Sequence, residues 1–252
     1  MKKNKKSENK SNIQLGSNIH IYGKKNKPIR CETDSKGFAT PKNRKRAELV
    51  LDTSEGFIPL WKKGLNLRWR FSPTIYNFFQ NSEELMSPEE AIDKIRNIFS
   101  KGILEWGDAA PIKFSERNDA WDFEIVVKND DCSYGGCVLA SAFFPDSGRH
   151  QLTIYPKLFK ENEQEQIETI AHEIGHIFGL RHFFAKLKET AFPSVNFGQQ
   201  NPFTIMNYGH KSKMTPDDKN DLKALYKKVW SGELLGINGT KIVTFRPYHY
   251  SE

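Results

Sequence analysis

Between Thr169 and Phe183 the chain reads TIAHEIGHIFGLRHF, which gathers His172, Glu173, His176 and His182 within eleven residues. On a helix, positions i and i+4 lie one above the other, so His172 and His176 direct two imidazoles at one point about a turn apart. Imidazole nitrogen is a common zinc ligand. Glu173, one residue on, is rotated too far to bind the same ion but is close enough to reach a water beside it, as a general base must. Gly179 can take a positive φ and stop the helix, which lets the chain return with His182 as a third ligand. Three nitrogens and one open position form the ligand set of a catalytic zinc, whereas a structural zinc is closed by a fourth protein ligand. At ordinary residue frequencies, a chance match to the spacing of these four residues together with Gly179 has a probability on the order of 10⁻⁵ for a chain of this length. The residues therefore predict one zinc on His172, His176 and His182, with Glu173 as the base.

The elements that must position this cluster are legible from periodicity. EQEQIETIAHEIGHIFG predicts the helix carrying the first two histidines, with Ile167, Ile170, Ile174, Ile177 and Phe178 on its buried side. SPEEAIDKIRNIFSKGILEW predicts a second long amphipathic helix, opened by Ser87 as N-cap, Pro88 in the first helical position and Glu90 closing a capping box. TPDDKNDLKALYKKVW repeats that start signal with Thr215, Pro216 and Asp218 and predicts a third helix. LNLRWRF (65–71) and WDFEIVV (121–127) alternate as half-buried strands, and VLASAFF and HQLTIY read as two more. Residues 183–203 read as a loop. Asn238-Gly239 between apolar runs predicts a C-terminal hairpin. The order of strands and helices indicates an α/β or α+β domain with a mixed sheet, and no repeat of 20–50 residues is present.

Charge divides the chain. Residues 1–46 hold 14 Lys/Arg against 3 Asp/Glu, and the remaining residues hold 24 against 28, so the net charge of +7 belongs to the N-terminal segment. That segment is rich in Lys, Asn, Ser and Gly and is expected to be largely disordered. The division expected is a basic extension over residues 1–47 and a catalytic domain over 48–252. No apolar core of 7–15 residues follows the first lysines, so a Sec signal peptide is not expected and the location reads as cytoplasmic or non-classically exported. No apolar run is long enough to span a bilayer. Cys132 and Cys137 enclose SYGG and either pair or remain buried thiols; Cys31 is then left over.

HEIGHIFGLRH resembles the signature of the metzincin zinc peptidases. FTIMNYG places Met206 where that family has its Met-turn beneath the histidines, and VLASAFFPDSGRH resembles the matrixin segment that forms the edge strand of the active-site cleft. The resemblance covers roughly residues 48–230. It implies an α+β metzincin-type zincin with a mixed twisted sheet, two long helices including the active-site helix, and a smaller C-terminal subdomain with the Met-turn and a third helix. It also implies a zinc-dependent endopeptidase acting on protein or peptide substrates as a monomer. Tyr208, two residues after Met206, resembles the serralysin and astacin tyrosine that ligates zinc or stabilises the transition state.

This chain departs from the pattern in three places. Phe183 follows the third histidine, where matrixins usually have serine. Ser141 stands where the matrixin edge segment supplies a ligand to a second, structural zinc, so no second zinc is expected and His150 is left without that role. PIRCETD, around Cys31, partly resembles the matrixin prosegment motif in which a thiolate fills the open zinc position, with Arg44–Arg46 as a cleavage target; an ordinary free thiol is the preferred reading. Two other functions remain: an inactive metzincin-like module that grips a peptide by strand addition, and a polyanion-binding protein acting through the tail. No specific nucleic-acid site is expected.

Overall fold

The computed structural model describes residues 29–30, 49–53, 55–81, 86–129, 132–133, 136–182, 194–198, 204–207 and 212–247. In chain order its first half contains β1 (Ile29–Arg30), β2 (Leu49–Asp52), β3 (Ile58–Trp61), β4 (Asn66–Phe71), α1 (Thr74–Gln80), α2 (Pro88–Trp106), β5 (Lys113–Glu116) and β6 (Phe123–Val127). The second half contains β7 (Cys132–Ser133), β8 (Gly136–Val138), β9 (Ala140–Ser141), β10 (His150–Ile154), α3 (Glu163–Ile177), β11 (Leu180–Arg181), β12 (Ser194–Phe197), α4 (Pro216–Trp230), β13 (Gly236–Ile237) and β14 (Thr240–Phe245). The class is α+β with mixed sheets.

The main sheet has the order β5-β4-β6-β10-β9, parallel throughout except for its antiparallel edge strand β9. Alternation in β4 sorts its side chains. Leu67 and Trp69 are buried, while Arg68 and Arg70 on the other face pair with Asp122 and Glu124 at 2.8 and 2.7 Å. The buried face builds an aromatic core in which Trp69, Phe114 and Phe123 all lie edge-on to Phe99 of α2, with centroids 5.1 to 6.2 Å apart.

Helix α2 begins with the expected capping box: Ser87 Oγ accepts from Glu90 N at 3.3 Å and the Glu90 carboxylate accepts from Ser87 N at 2.9 Å. It packs against α3 at Gly102. A Cβ there would meet Ile170 Cγ2 at 2.9 Å and the Ala171 backbone nitrogen at 3.2 Å, so glycine sets the approach of the two helices. One turn on, Trp106 is fully buried and its Nε1 donates to Ala171 O at 2.9 Å, fixing α3 in depth and rotation.

Three small sheets surround this core. In one, β2 lies between β11 and β12, antiparallel to both. In another, the C-terminal hairpin turns at Asn238 and Gly239, with φ of 53° and 84°, and its strand β14 then runs parallel to β3. The third joins β7 and β8, bridged by a Cys132–Cys137 disulfide, to β1. One expectation changes here. Ser194–Phe197, inside the expected loop, is a strand because β2 supplies backbone partners from far away in sequence. Within the extension expected to be largely disordered, Ile29–Arg30 pairs in parallel with β8. Cys31 lies outside the described residues. Periodicity does not mark β2, β3, α1, β5, β7 or β11 in the sequence. No helix among the described residues is long and apolar enough to cross a membrane.

The close α2–α3 contact sets a stability test. Gly102→Leu forces side-chain atoms into the Ala171 backbone and should destabilise the domain by about 1–3 kcal/mol, as overpacking does. Urea unfolding of the variant and parent chains measures this directly, with a lower midpoint at unchanged slope expected.

Candidate metal centre and active site

Helix α3 starts at Asn162, whose side chain accepts from Glu165 N at 3.1 Å, and ends where Gly179 takes a φ of 90°. Gly179 N donates to His176 O at 2.8 Å, closing the last turn. Space also demands glycine, since a Cβ would lie 2.9 Å from Pro59 O. The chain then enters β11, where Leu180 and Arg181 pair with Leu51 and Val50, and this strand delivers His182 back toward the helix. All three histidines are buried, and their ligand atoms lie within 4.8 Å of one another.

Their inward nitrogens converge. His172 Nε2 lies 3.1 Å from His176 Nε2 and 3.2 Å from His182 Nε2. The outward nitrogens fix the tautomers. His172 Nδ1 donates to Ile205 O at 2.8 Å and His176 Nδ1 donates to Leu180 O at 2.7 Å. A carbonyl can only accept, so in both rings Nδ1 carries a proton, which in the neutral imidazole leaves the Nε2 lone pair facing inward. Two such lone pairs about 3 Å apart repel unless a cation lies between them. The three histidines form a group that could hold a metal ion.

Ile205 O is held by the turn Thr204–Asn207, in which Asn207 N donates to Thr204 O at 3.1 Å. Met206 in that turn is 2% exposed, and its thioether lies against the backbone of Gly175: a Cβ on Gly175 would overlap Met206 Sδ and come within 3.2 Å of Trp106. Gly175 lies between His172 and His176 in the chain, so the methionine forms the floor under the histidine-bearing turn of the helix. Asp218, 4% exposed, anchors the same turn. Its carboxylate accepts from Thr204 Oγ1, from Ile205 N at 3.3 Å, and from Thr215 N and Oγ1 at 2.9 and 2.8 Å. One carboxylate therefore caps α4 and ties that cap to the carbonyl that orients His172.

The C-terminal end of α3 is gripped from the other side. Trp61 Nε1 donates to Ile177 O at 2.6 Å and the Tyr226 hydroxyl donates to Phe178 O at 3.0 Å while accepting from Trp61 N. Burial pushes the Tyr226 phenol far above its ordinary pKa, so it remains a donor at any physiological pH. Asp218 enters the sequence reading only as a cap, while Gly175, Trp61, Trp106 and Tyr226 enter it in no role at the site. The HExxH pattern leaves Gly175 as an unspecified position, and the others act across long sequence distances.

Glu173 is 1% exposed on the same helix, between His172 and His176. Phe144, just beyond β9, packs edge-on against His176 at 5.6 Å, which brings the edge segment alongside the histidines. His150 is engaged with Asp146 at 2.6 Å and stacked on Phe143 at 4.4 Å. Tyr208 lies outside the described residues.

Comparison with known proteins gives a consistent picture. The chain is 23% identical over 202 residues to human stromelysin-3, covering 71% of this chain and 38% of that protein. It is 29% identical over 175 residues to metalloendoproteinase 4-MMP of Arabidopsis thaliana, covering 63% of this chain and 48% of the relative. It thus spans less than half the length of these curated relatives. The solved structure of myroilysin aligns with a TM-score of 0.46 at 12% identity, over 70% of this chain and 98% of that one. The profile of metallo-peptidase family M12 matches residues 79–217, more than half of the chain, a stretch that takes in α3, His182 and the Met206 turn. On that match the protein, metzincin-like in its histidine cluster and its methionine turn, belongs to metallo-peptidase family M12.

Proposed function

We propose that the protein is a zinc-dependent endopeptidase in which His172, His176 and His182 hold the metal and Glu173 is the catalytic base. The observation that carries this reading is the convergence of the histidine Nε2 atoms at 3.1 and 3.2 Å beside a buried carboxylate on the same helix. The donor set fits zinc, because a zinc–nitrogen bond of about 2.0–2.1 Å at tetrahedral angles separates ligand nitrogens by roughly 3.3 Å. Zinc at this position supplies Lewis acidity, lowering the pKa of water toward neutrality and polarising the scissile carbonyl. Glu173 takes the proton of the attacking water and returns it to the departing amine nitrogen as the C–N bond breaks. The edge segment through Ala140 and Ser141 aligns the peptide by backbone pairing. Tyr208 donates to the carbonyl oxygen as negative charge develops there.

The position of β1 favours a second feature, latency. Ile29 and Arg30 pair with Cys137 and Val138 on the strand that leads into the edge segment. This segment is docked two residues before Ala140, on the approach to the edge segment, and it precedes Cys31 directly. Residues 1–47 then act as a prosegment, in place of the passive tail that composition favours.

Three measurements follow from this mechanism. Purified protein should contain about one zinc, hydrolyse a peptide library and lose activity to a chelator; in His182→Ala, metal analysis should find most of the zinc gone. Glu173→Gln should keep fold and zinc while its rate falls by at least ~10², the usual contribution of a general base. Activity within a few-fold of the parent would move the base to another residue. Removing residues 1–46 should raise the initial rate of peptide cleavage, and equal rates for the full and shortened chains would remove the prosegment role.

A further inference from the structure

A second cavity lies away from the histidines. It encloses about 340 Å³ between the turn after α2, the turn after β3 and helix α4, a volume in the range of real ligand pockets. Much of its wall is apolar. Tyr226 is buried, Trp230 packs against it at 5.1 Å, and the Trp230 indole donates to Trp61 O at 2.9 Å, which fixes its orientation. Ala110 and Pro111 form the opposite wall.

The rim is cationic. Lys63, Lys223 and Lys227 line it against one carboxylate, Asp108. Lys219, Lys223 and Lys227 recur at four-residue spacing on α4 and so share one face, where like charges repel. The helix dipole favours Lys227 in the last turn but disfavours Lys219 near the first, and it has no bearing on Lys63. Asp108 is engaged by Lys223, whose contact and charge hold its carboxyl below the usual range. Lys63 and Lys227 have no carboxylate partner among the described residues. This local excess of cations stands in a body whose residues 47–252 carry 24 Lys/Arg against 28 Asp/Glu.

We propose that this cavity is a docking site for an acidic peptide segment carrying an apolar or aromatic side chain. Flanking carboxylates of the peptide engage Lys63 and Lys227, and its apolar side chain enters between Trp230 and Pro111. A nucleic-acid strand fits less well. Single-stranded binding uses a continuous basic groove that tracks many phosphates, whereas here the basic rim encloses one pocket and is interrupted by Asp108.

The site is tested in the full-length chain carrying Glu173→Gln, so that binding is read without cleavage and stands or falls separately from the peptidase reading. Calorimetric titration compares an acetylated Asp-Glu-Asp-Phe-Asp-Glu peptide, its Asn/Gln counterpart and an oligothymidylate of equal charge. The acidic peptide should bind at least ~10-fold more tightly than the amide version, and Lys63→Glu with Lys227→Glu should weaken it at least ~10-fold while the melting temperature is unchanged. Undetectable binding, equal affinity for the amide peptide, or indifference to the charge reversal would overturn the site. Oligothymidylate binding as tight as the peptide would overturn the assigned ligand class.

Discussion

Holding two imidazole lone pairs face to face at 3.1 Å, with a third nitrogen beside them, is the constraint on which the rest of this structure depends. Between neutral rings this geometry is repulsive, so the scaffold must impose it. It does so through the opposite ring nitrogens. The carbonyls of Ile205 and Leu180 each take an Nδ1 proton, which sets ring rotation and tautomer together. Whatever positions those two carbonyls positions the histidine cluster.

Leu180 O is placed by the sharp stop at Gly179 and by pairing of β11 to β2, so the strand that returns His182 also orients His176. Ile205 O is placed by a longer chain of contacts. Asp218 caps α4, and the same carboxylate ties down Thr204 and Ile205, so the start of the last long helix is coupled to His172. A buried carboxylate is costly to desolvate, and its multiple donors offset that cost. The arrangement makes a helix cap part of the support of the candidate site.

Close backbone approach is the second requirement. Helix α3 is pressed on one side by α2 at Gly102 and on another by Met206 at Gly175, with Trp106 touching both regions. Side chains larger than hydrogen at either glycine would lift the helix off its supports. The indole of Trp61 and the hydroxyl of Tyr226 then satisfy the carbonyls at its end, where the main chain has run out of intrahelical donors. The histidines thus ride on a helix fixed along its length and at its terminus, the rigidity a preorganised site needs.

What the sequence by itself determined is local. The i, i+4 spacing of His172 and His176, the stop at Gly179, the capping boxes at Ser87 and Thr215 and the turn at Asn238-Gly239 all rest on interactions within a few residues. Each is therefore visible as a pattern in the chain. What only the tertiary structure decided involves partners far apart: the Ile205 carbonyl 33 residues from His172, and Trp61 Nε1 116 residues from the carbonyl it satisfies. The same holds for β12, which looks like loop until β2 supplies its hydrogen bonds. Gly175 shows the boundary most clearly: as a letter it is one variable position within a metal-binding motif, and only the approach of Met206 makes the absence of a side chain there a physical requirement.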